Sequence, residues 1–439
     1  MRMLAIAAAA ALALSGTARA QSTQELKALL DQAMKTIQDL QDRVRALEAQ
    51  KAAAPPAVTP AAPAPTAAAP VVAPDAGKPH AEIYGHAMLD AIYDFKRMNP
   101  QWQATLRPSQ IPVFCPGSPG CGKEQSFLMS VRQSSLGLRT SIPTSMGLLK
   151  TDLAFDLFGT DGGTNIHWLR AWGELGMYGA GQIDSNFMNI DSFPNTIDYW
   201  GPPGMVFIRN PQLRITPYSR GGVTWAFSLE APNSVIDTGK LTAVDPALGA
   251  GIVGRNRLPD LVGSFRLDRD WGHVRAAAIL RQVGYQSTVT PSGEPSGQKG
   301  AYGLNVSGVL KVFGKDTLSW QLAGGTGIAS YMNDGGTDLA PDANLRAKAV
   351  KSLGWFAYYG HAWSDRWTSA IGASQHQQDN TGGQLPSAFH RGNYASVNLL
   401  YALQKNVLTG AEYVWGKLET RDGSSATDYR LQFSTKVTF

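Results

Sequence analysis

The chain has 439 residues, of which 43% are hydrophobic and 17% charged, with 39 Lys and Arg against 34 Asp and Glu. Removal of Arg2 and Arg19 with an N-terminal leader leaves 37 basic against 34 acidic residues, too near a balance for a broad nucleic-acid-binding surface. Forty-six glycines, a 9% aromatic share and no long apolar run after the leader leave two classes, a soluble all-β protein or a closed membrane barrel.

Residues 1–20 read MRMLAIAAAAALALSGTARA, a basic start, a short apolar run and a small-residue exit. That is the layout of a secretory signal peptide, with cleavage expected before Gln21. The run is too short for the roughly 20 residues of a membrane-spanning helix. Within 21–50, Leu26, Leu30, Ala33, Ile37, Leu40, Val44 and Leu47 recur at alternating spacings of four and three. So narrow a seam predicts an oligomeric α-helical coiled coil rather than a helix packed on a domain. Ile37 and Val44 at a with Leu40 and Leu47 at d favour two strands, a preference an attached trimer could override. Residues 51–80 are dominated by Ala, Pro and Val and predict a semi-extended spacer, reaching about 80 Å at full stretch.

From 81 to 439 apolar residues alternate with polar ones. Tyr429, Leu431, Phe433, Val437 and Phe439 share one face of the last segment, opposite Arg430, Gln432, Ser434, Lys436 and Thr438. The pattern recurs at Tyr302–Val312 and Ala395–Leu403. A soluble sandwich would alternate in the same way. Short turns at 142–146, 218–221, 268–272, 314–317, 364–367 and 403–406 alternate with long polar connections at 95–125, 185–210, 232–258 and 330–348. That asymmetry, with Trp and Tyr near the strand ends, predicts an all-β transmembrane barrel of about 16 antiparallel strands.

The polar face of such a barrel is its pore wall. Alternation puts Arg132, Lys150, Arg214, Arg266, Arg275 and Arg281 on it, with Arg170 and Arg209 at strand ends. The connection 185–210, which carries Asp191 and Asp198, is rich in aromatic residues and stiffened by prolines, so it is expected to fold inward and pack opposite these arginines. Cys115 and Cys121 bracket a short stretch of the first long loop; export favours a local disulfide over a metal site, for no His lies nearby. Neither a cofactor nor a metal is expected. The seven His are scattered, which disfavours a barrel hydrolase and points to a protein that is not an enzyme.

The segments Tyr84–Pro112, Val131–Thr140 and Leu148–Gly159, and above all GQIDSNFMNIDSFPNTIDYWGPPGMVFIRNPQLRITP (Gly181–Pro217), resemble the DcaP-like outer-membrane porin family. The resemblance is specific in the first half of the barrel and fades beyond Asn233. It implies a homotrimeric 16-stranded channel with an arginine-rich eyelet that passes small anions, notably dicarboxylates. The basic positions it implies fall on Arg132, Arg170, Arg209 and Arg214, whereas Arg266, Arg275 and Arg281 rest on alternation. The expected function is passive diffusion of small anions across the outer membrane of a Gram-negative cell, with the extension in the periplasm. Two other readings stand beside it, a phosphate-preferring porin and a structural tether with little transport. Expected partners are outer-membrane lipid and lipopolysaccharide, further copies of the chain, small anionic solutes, and the periplasm or cell wall for the extension; nucleic acid is not among them.

Overall fold

The computed structural model describes residues 78–439 apart from 116, 118 and 119. The expected signal peptide, the coiled coil and all but the end of the linker lie outside the described residues.

Alternating sequence becomes twenty strands: β1 His80–Asp94, β2 Ser126–Ser130, β3 Ser135–Thr144, β4 Gly147–Phe158, β5 Thr164–Leu175, β6 Tyr178–Asp184, β7 Arg209–Arg220, β8 Val223–Glu230, β9 Ile252–Gly254, β10 Asp260–Arg269, β11 Gly272–Ser287, β12 Gly297–Lys311, β13 Thr317–Thr326, β14 Leu339–Pro341, β15 Ala347–Ala349, β16 Lys351–Ala362, β17 Trp367–Asp379, β18 Phe389–Gln404, β19 Val407–Thr420 and β20 Ser425–Thr438. Eighteen of them form one sheet, and β14 and β15 form a separate hairpin. Within the large sheet β2 and β3 are two parts of one stave, both pairing with β1, and β9 is a loop segment laid on the end of β11. Sixteen staves result. Each pairs antiparallel with its sequence neighbour, and β20 pairs with β1 from Thr438↔His86 to Arg430↔Asp94, closing the barrel.

Closure removes sheet edges and so satisfies the backbone within a membrane, where no water can do it. One end of the barrel has tight connections. Arg220 pairs with Val223 across Gly221 and Gly222, whose φ angles of +61° and +69° suit the two-residue hairpin turn that a twisted sheet prefers. The other end carries the long connections 95–125, 185–208, 231–259 and 327–350.

The two faces have opposite chemistry. Leu431 and Phe433 point outward and are 47% and 53% exposed, while Asp428, Arg430, Gln432 and Ser434 point inward and are buried. Leu304, Leu322, Ile371, Val397 and Leu399 continue the outward apolar belt. Burial of so many inward polar groups has one cause: the long loops fold into the barrel and seal part of its wall. Phe187, Met188, Val206, Tyr331 and Met332 from two loops pack on Ile279 and Ala323 of the wall. Met98, Trp102 and Ile111 of the first loop pack on Phe158 and Leu418. The apolar residues of 185–208 thus form small cores inside a polar cylinder.

An outward Phe433 replaced by Arg should cost about 2–4 kcal/mol if it lies near the bilayer midplane. Reversible unfolding in lipid vesicles, followed by tryptophan fluorescence, will show that loss; an unchanged midpoint would mean that this face does not meet lipid.

Candidate functional site

The loop 185–208 has almost no regular structure, so its backbone polar groups need partners from elsewhere. The wall supplies them. Glu230, at the end of β8, accepts from the Asn186 N–H at 2.8 Å, the Ser185 hydroxyl at 2.6 Å and the Asn210 amide at 3.1 Å. Glu412, on β19, accepts from the N–H groups of Ile197 at 3.0 Å and Asp198 at 2.9 Å, and from the Asn398 amide at 2.8 Å. Between these anchors, Asn305 donates to the Phe187 carbonyl at 2.7 Å, and Gln321 accepts from the Val206 N–H at 3.2 Å while donating to the Gly204 carbonyl at 3.0 Å. Both glutamates are fully buried.

The loop's reach continues to the opposite staves. Gln133 donates to the Ile197 carbonyl at 3.1 Å, and the Tyr199 hydroxyl donates to Asp156 of β4. Tyr199 also stacks on Phe158 with ring centroids 4.1 Å apart. Next to it Arg107 of the first loop lies between the rings of Trp102 and Trp200, 4.1 and 3.9 Å from their centroids, and pairs with Asp334 at 2.8 Å. Three loops therefore meet on one guanidinium.

On the staves β3–β7, charged side chains that stay partly wet form a ladder. Arg139 lies 3.5 Å from Asp152, which lies 3.4 Å from Arg170; Arg170 is 3.5 Å from Asp184, and Asp184 is 2.8 Å from Arg209. Arg214 donates to Gln212 at 3.0 Å and to the Asp184 carbonyl, with no carboxylate partner among the described residues. The Arg139, Arg209 and Arg214 guanidinium carbons lie 3.8 Å from the Tyr84 ring, 4.6 Å from Phe207 and 5.6 Å from Trp172. Three arginines share two aspartates and Arg214 adds a fourth cation, so the ladder carries net positive charge. Arg139 and Arg170 remain about a quarter exposed, at 25% and 24%.

Arg170 and Trp172 face the lumen because of a bulge. Trp168 pairs with Phe155 and Arg170 with Ala154, leaving Leu169 as an extra residue in β5. Trp168 points outward and is 55% exposed; uninterrupted alternation would send Arg170 out with it.

The other expected residues take different surroundings. Arg266 is held by Asp268 in a two-pronged pair and by Asp191 of the loop. Arg275 donates to the Asn186 carbonyl at 2.9 Å and side chain at 2.7 Å and has no carboxylate partner among the described residues. Lys150 sits 3.6 Å from Glu174, more than half exposed. Arg281 does not line water: its side chain is 0% exposed, 3.2 Å from Asp260 and 3.6 Å from Asp338, and it donates to the Gly327 carbonyl. It joins loops to wall. Arg132 donates to the Gly162 carbonyl at 2.7 Å and to Thr164 at 3.0 Å, so it is drawn to the short connection 159–163 and not to the ladder. There the Gly163 N–H, and then the Asn165 amide, hold the Asp161 carboxyl below its ordinary value. Asp198 is buried and turned from the arginines, accepting from the Leu106 N–H at 2.9 Å and Thr105 at 2.8 Å. Cys115 and Cys121 are joined by a disulfide with Cα atoms 5.7 Å apart.

Sequence reasoning passed over Arg139, although alternation with Leu136 and Leu138 marks it as inward. It also passed over Glu230 and Glu412, and it placed Arg430 on the polar face without a role; Arg430 is fully buried and pairs with Asp94 at 2.7 Å. No local signal distinguishes a wall carboxylate that meets water from one that meets a loop backbone.

Comparison with solved structures agrees with this geometry. The outer-membrane channel DcaP of Acinetobacter baumannii superposes with a TM-score of 0.71 at 20% identity, over 82% of this chain and 98% of that one. An anion-selective porin from Comamonas acidovorans gives 0.53 at 10% identity, over 82% and 100%. The outer-membrane protein OmpT of Vibrio cholerae gives 0.51 at 9%, over 83% and 98%. No protein-family model and no curated protein matches the chain. At these identities the likeness is one of fold: the chain has the fold of an outer-membrane porin barrel. The family resemblance read from its sequence is thereby met at the level of the fold, in the DcaP channel.

The carboxylate anchors give a direct prediction. Replacing Glu412 with Ala strands the Ile197 and Asp198 N–H groups, at about 1–3 kcal/mol for each one left unsatisfied. The barrel should persist while the loop becomes cleavable by protease between residues 195 and 200 and single-channel current grows noisier. Protection equal to that of the unmodified protein would show that the loop holds without this anchor.

Proposed function

We propose that the chain is a passive diffusion channel of the DcaP-like kind in a Gram-negative outer membrane, preferring small anions and among them carboxylates. The observation that carries this reading is the ladder of Arg139, Arg170, Arg209 and Arg214 against Asp152 and Asp184, facing an inward-folded loop. A guanidinium keeps its charge at every relevant pH and offers two parallel donors to a carboxylate. Several such groups in succession let an anion exchange its hydration stepwise, and the interleaved aspartates keep each site weak enough for release. The same aspartates speak against a dense phosphate trap. Transport of this kind needs no catalytic group and no cofactor.

The remaining organisation follows the sequence. We assign 1–20 to the signal peptide, 21–50 to a periplasmic coiled coil, 51–80 to a spacer and 81–439 to the barrel. His80 opens β1 opposite Ser141, beside the short turn that follows β3, so a periplasmic extension implies that the turn end faces the periplasm and the long loops face outward. The family resemblance supports a trimer, which would override the preference of the heptads for two strands.

The test is the reversal potential of single channels across a salt gradient. Arg170→Glu and Arg214→Glu should each reduce anion preference, and the pair should invert it. The effect should shrink as salt rises, since the Debye length falls from about 10 Å at 0.1 M to about 3 Å at 1 M. Unchanged potentials in both variants would remove these arginines from selectivity.

A further inference from the structure

The outside of the barrel carries a hollow near the loop end of β12, β13, β16 and β17. There a hollow of about 350 Å³ opens between Tyr302, Gly324, Thr326, Lys351, Leu353 and Gln377. Its cause is legible in the register. Leu304 pairs with Gly324, and Gly324 with Leu353, so one outward row of side chains loses a member at Gly324. Leu304 and Leu322 continue the surface as lipid-facing apolar residues, 61% and 53% exposed.

Above the hollow runs a row of outward charges on four consecutive staves. Lys351 lies 3.7 Å from Asp379. Arg391 lies 3.9 Å and Lys417 3.7 Å from the same Glu419. Three cations share two carboxylates, and among the described residues the buried Arg391 Nε has no hydrogen-bond partner. A groove with Tyr302, Gly324 and Leu353 at its apolar end and Lys351 and Asp379 at its charged rim has the form of an amphiphile with an anionic head and an acyl tail.

We infer that this face seats a phosphorylated, acylated glycolipid of the outer leaflet, one acyl chain filling the groove at Gly324 and a phosphate bridging Lys351, Arg391 and Lys417. The inference rests on the outer-membrane placement and the outward-facing loops proposed above. A hollow on a surface that meets lipid is filled by hydrocarbon, because water there would lose its hydrogen bonds. The row of cations lies where headgroups lie, and each Lys or Arg near an anionic lipid surface strengthens attachment by about five-fold. The net-positive row complements the charge of a phosphate, which makes an anionic lipid the occupant.

The experiment is native mass spectrometry of the full-length protein in detergent, titrated with bisphosphorylated lipid A or with the same lipid A stripped of phosphate. The unmodified protein should prefer the phosphorylated form by roughly ten-fold or more. The triple variant K351E, R391E and K417E should lose that preference. Gly324→Leu should weaken both lipids alike by occupying the groove; its Cβ would meet the tip of Leu353 at 3.1 Å, which can give way, and the Ser352 carbonyl oxygen at an ordinary 3.5 Å. Equal binding of the two lipids by the unmodified protein overturns the proposal. So does a disulfide between copies of Gly324→Cys in native membranes, which would make the face a barrel–barrel contact. Conductance of the same samples in planar bilayers separates the two readings: conducting protein without lipid discrimination sinks this site alone, whereas protein that never conducts sinks the channel.

Discussion

The structure depends on carboxylates that accept from backbone. A loop without helix or strand can lie inside a barrel only if its N–H groups are satisfied there, and Glu230 and Glu412 each take two or more donors from the segment or its ends. A buried carboxylate is costly when alone but holds strongly when surrounded by donors. The loop's apolar side chains then close over these bonds and keep water from competing with them. Remove the carboxylates, and the aromatic residues of 185–208 would have no fixed register against the wall.

Fixing that loop divides the lumen into two chemistries. Behind it and the other inward loops lie wall residues that have given up their water: Arg281, Arg430, Asn305, Gln321 and Ser374 are all buried. In front of it lies the wet ladder of β3–β7. Arginine serves both regions for different reasons. Behind the loop its fork joins carboxylates to carbonyls, as Arg281 does between Asp260 and Gly327. In front, shared carboxylates and aromatic backing leave its charge directed at the lumen. The same outward-versus-inward logic governs the exterior, where losing one side chain at Gly324 leaves a groove in the apolar belt.

A single inserted residue, Leu169, turns Arg170 and Trp172 to the lumen. Without it the ladder would break between Asp152 and Asp184, since no other cation bridges them among the described residues. Selectivity in this reading thus hangs on a backbone irregularity as much as on the choice of side chain.

The sequence by itself determined the barrel. Two-residue alternation, closing aromatics and the contrast of short turns with long loops pointed to a closed barrel of about sixteen staves, because closure is the only arrangement of strands that a membrane admits. The inward direction of Arg214, Arg266 and Arg275 followed from the same period, and the apolar content of 185–208 required that it pack. Which inward charges meet water was decided only by the tertiary structure. Arg281 and Arg139 read alike along their strands, yet one is sealed behind loops and the other lines the ladder. Asp191 and Asp198 lie seven residues apart in one loop, but one meets Arg266 and the other the backbone of the first loop. Strand period fixes the face on which a side chain lies, whereas its burial depends on loops that fold back from distant parts of the chain, and no local pattern records where they land.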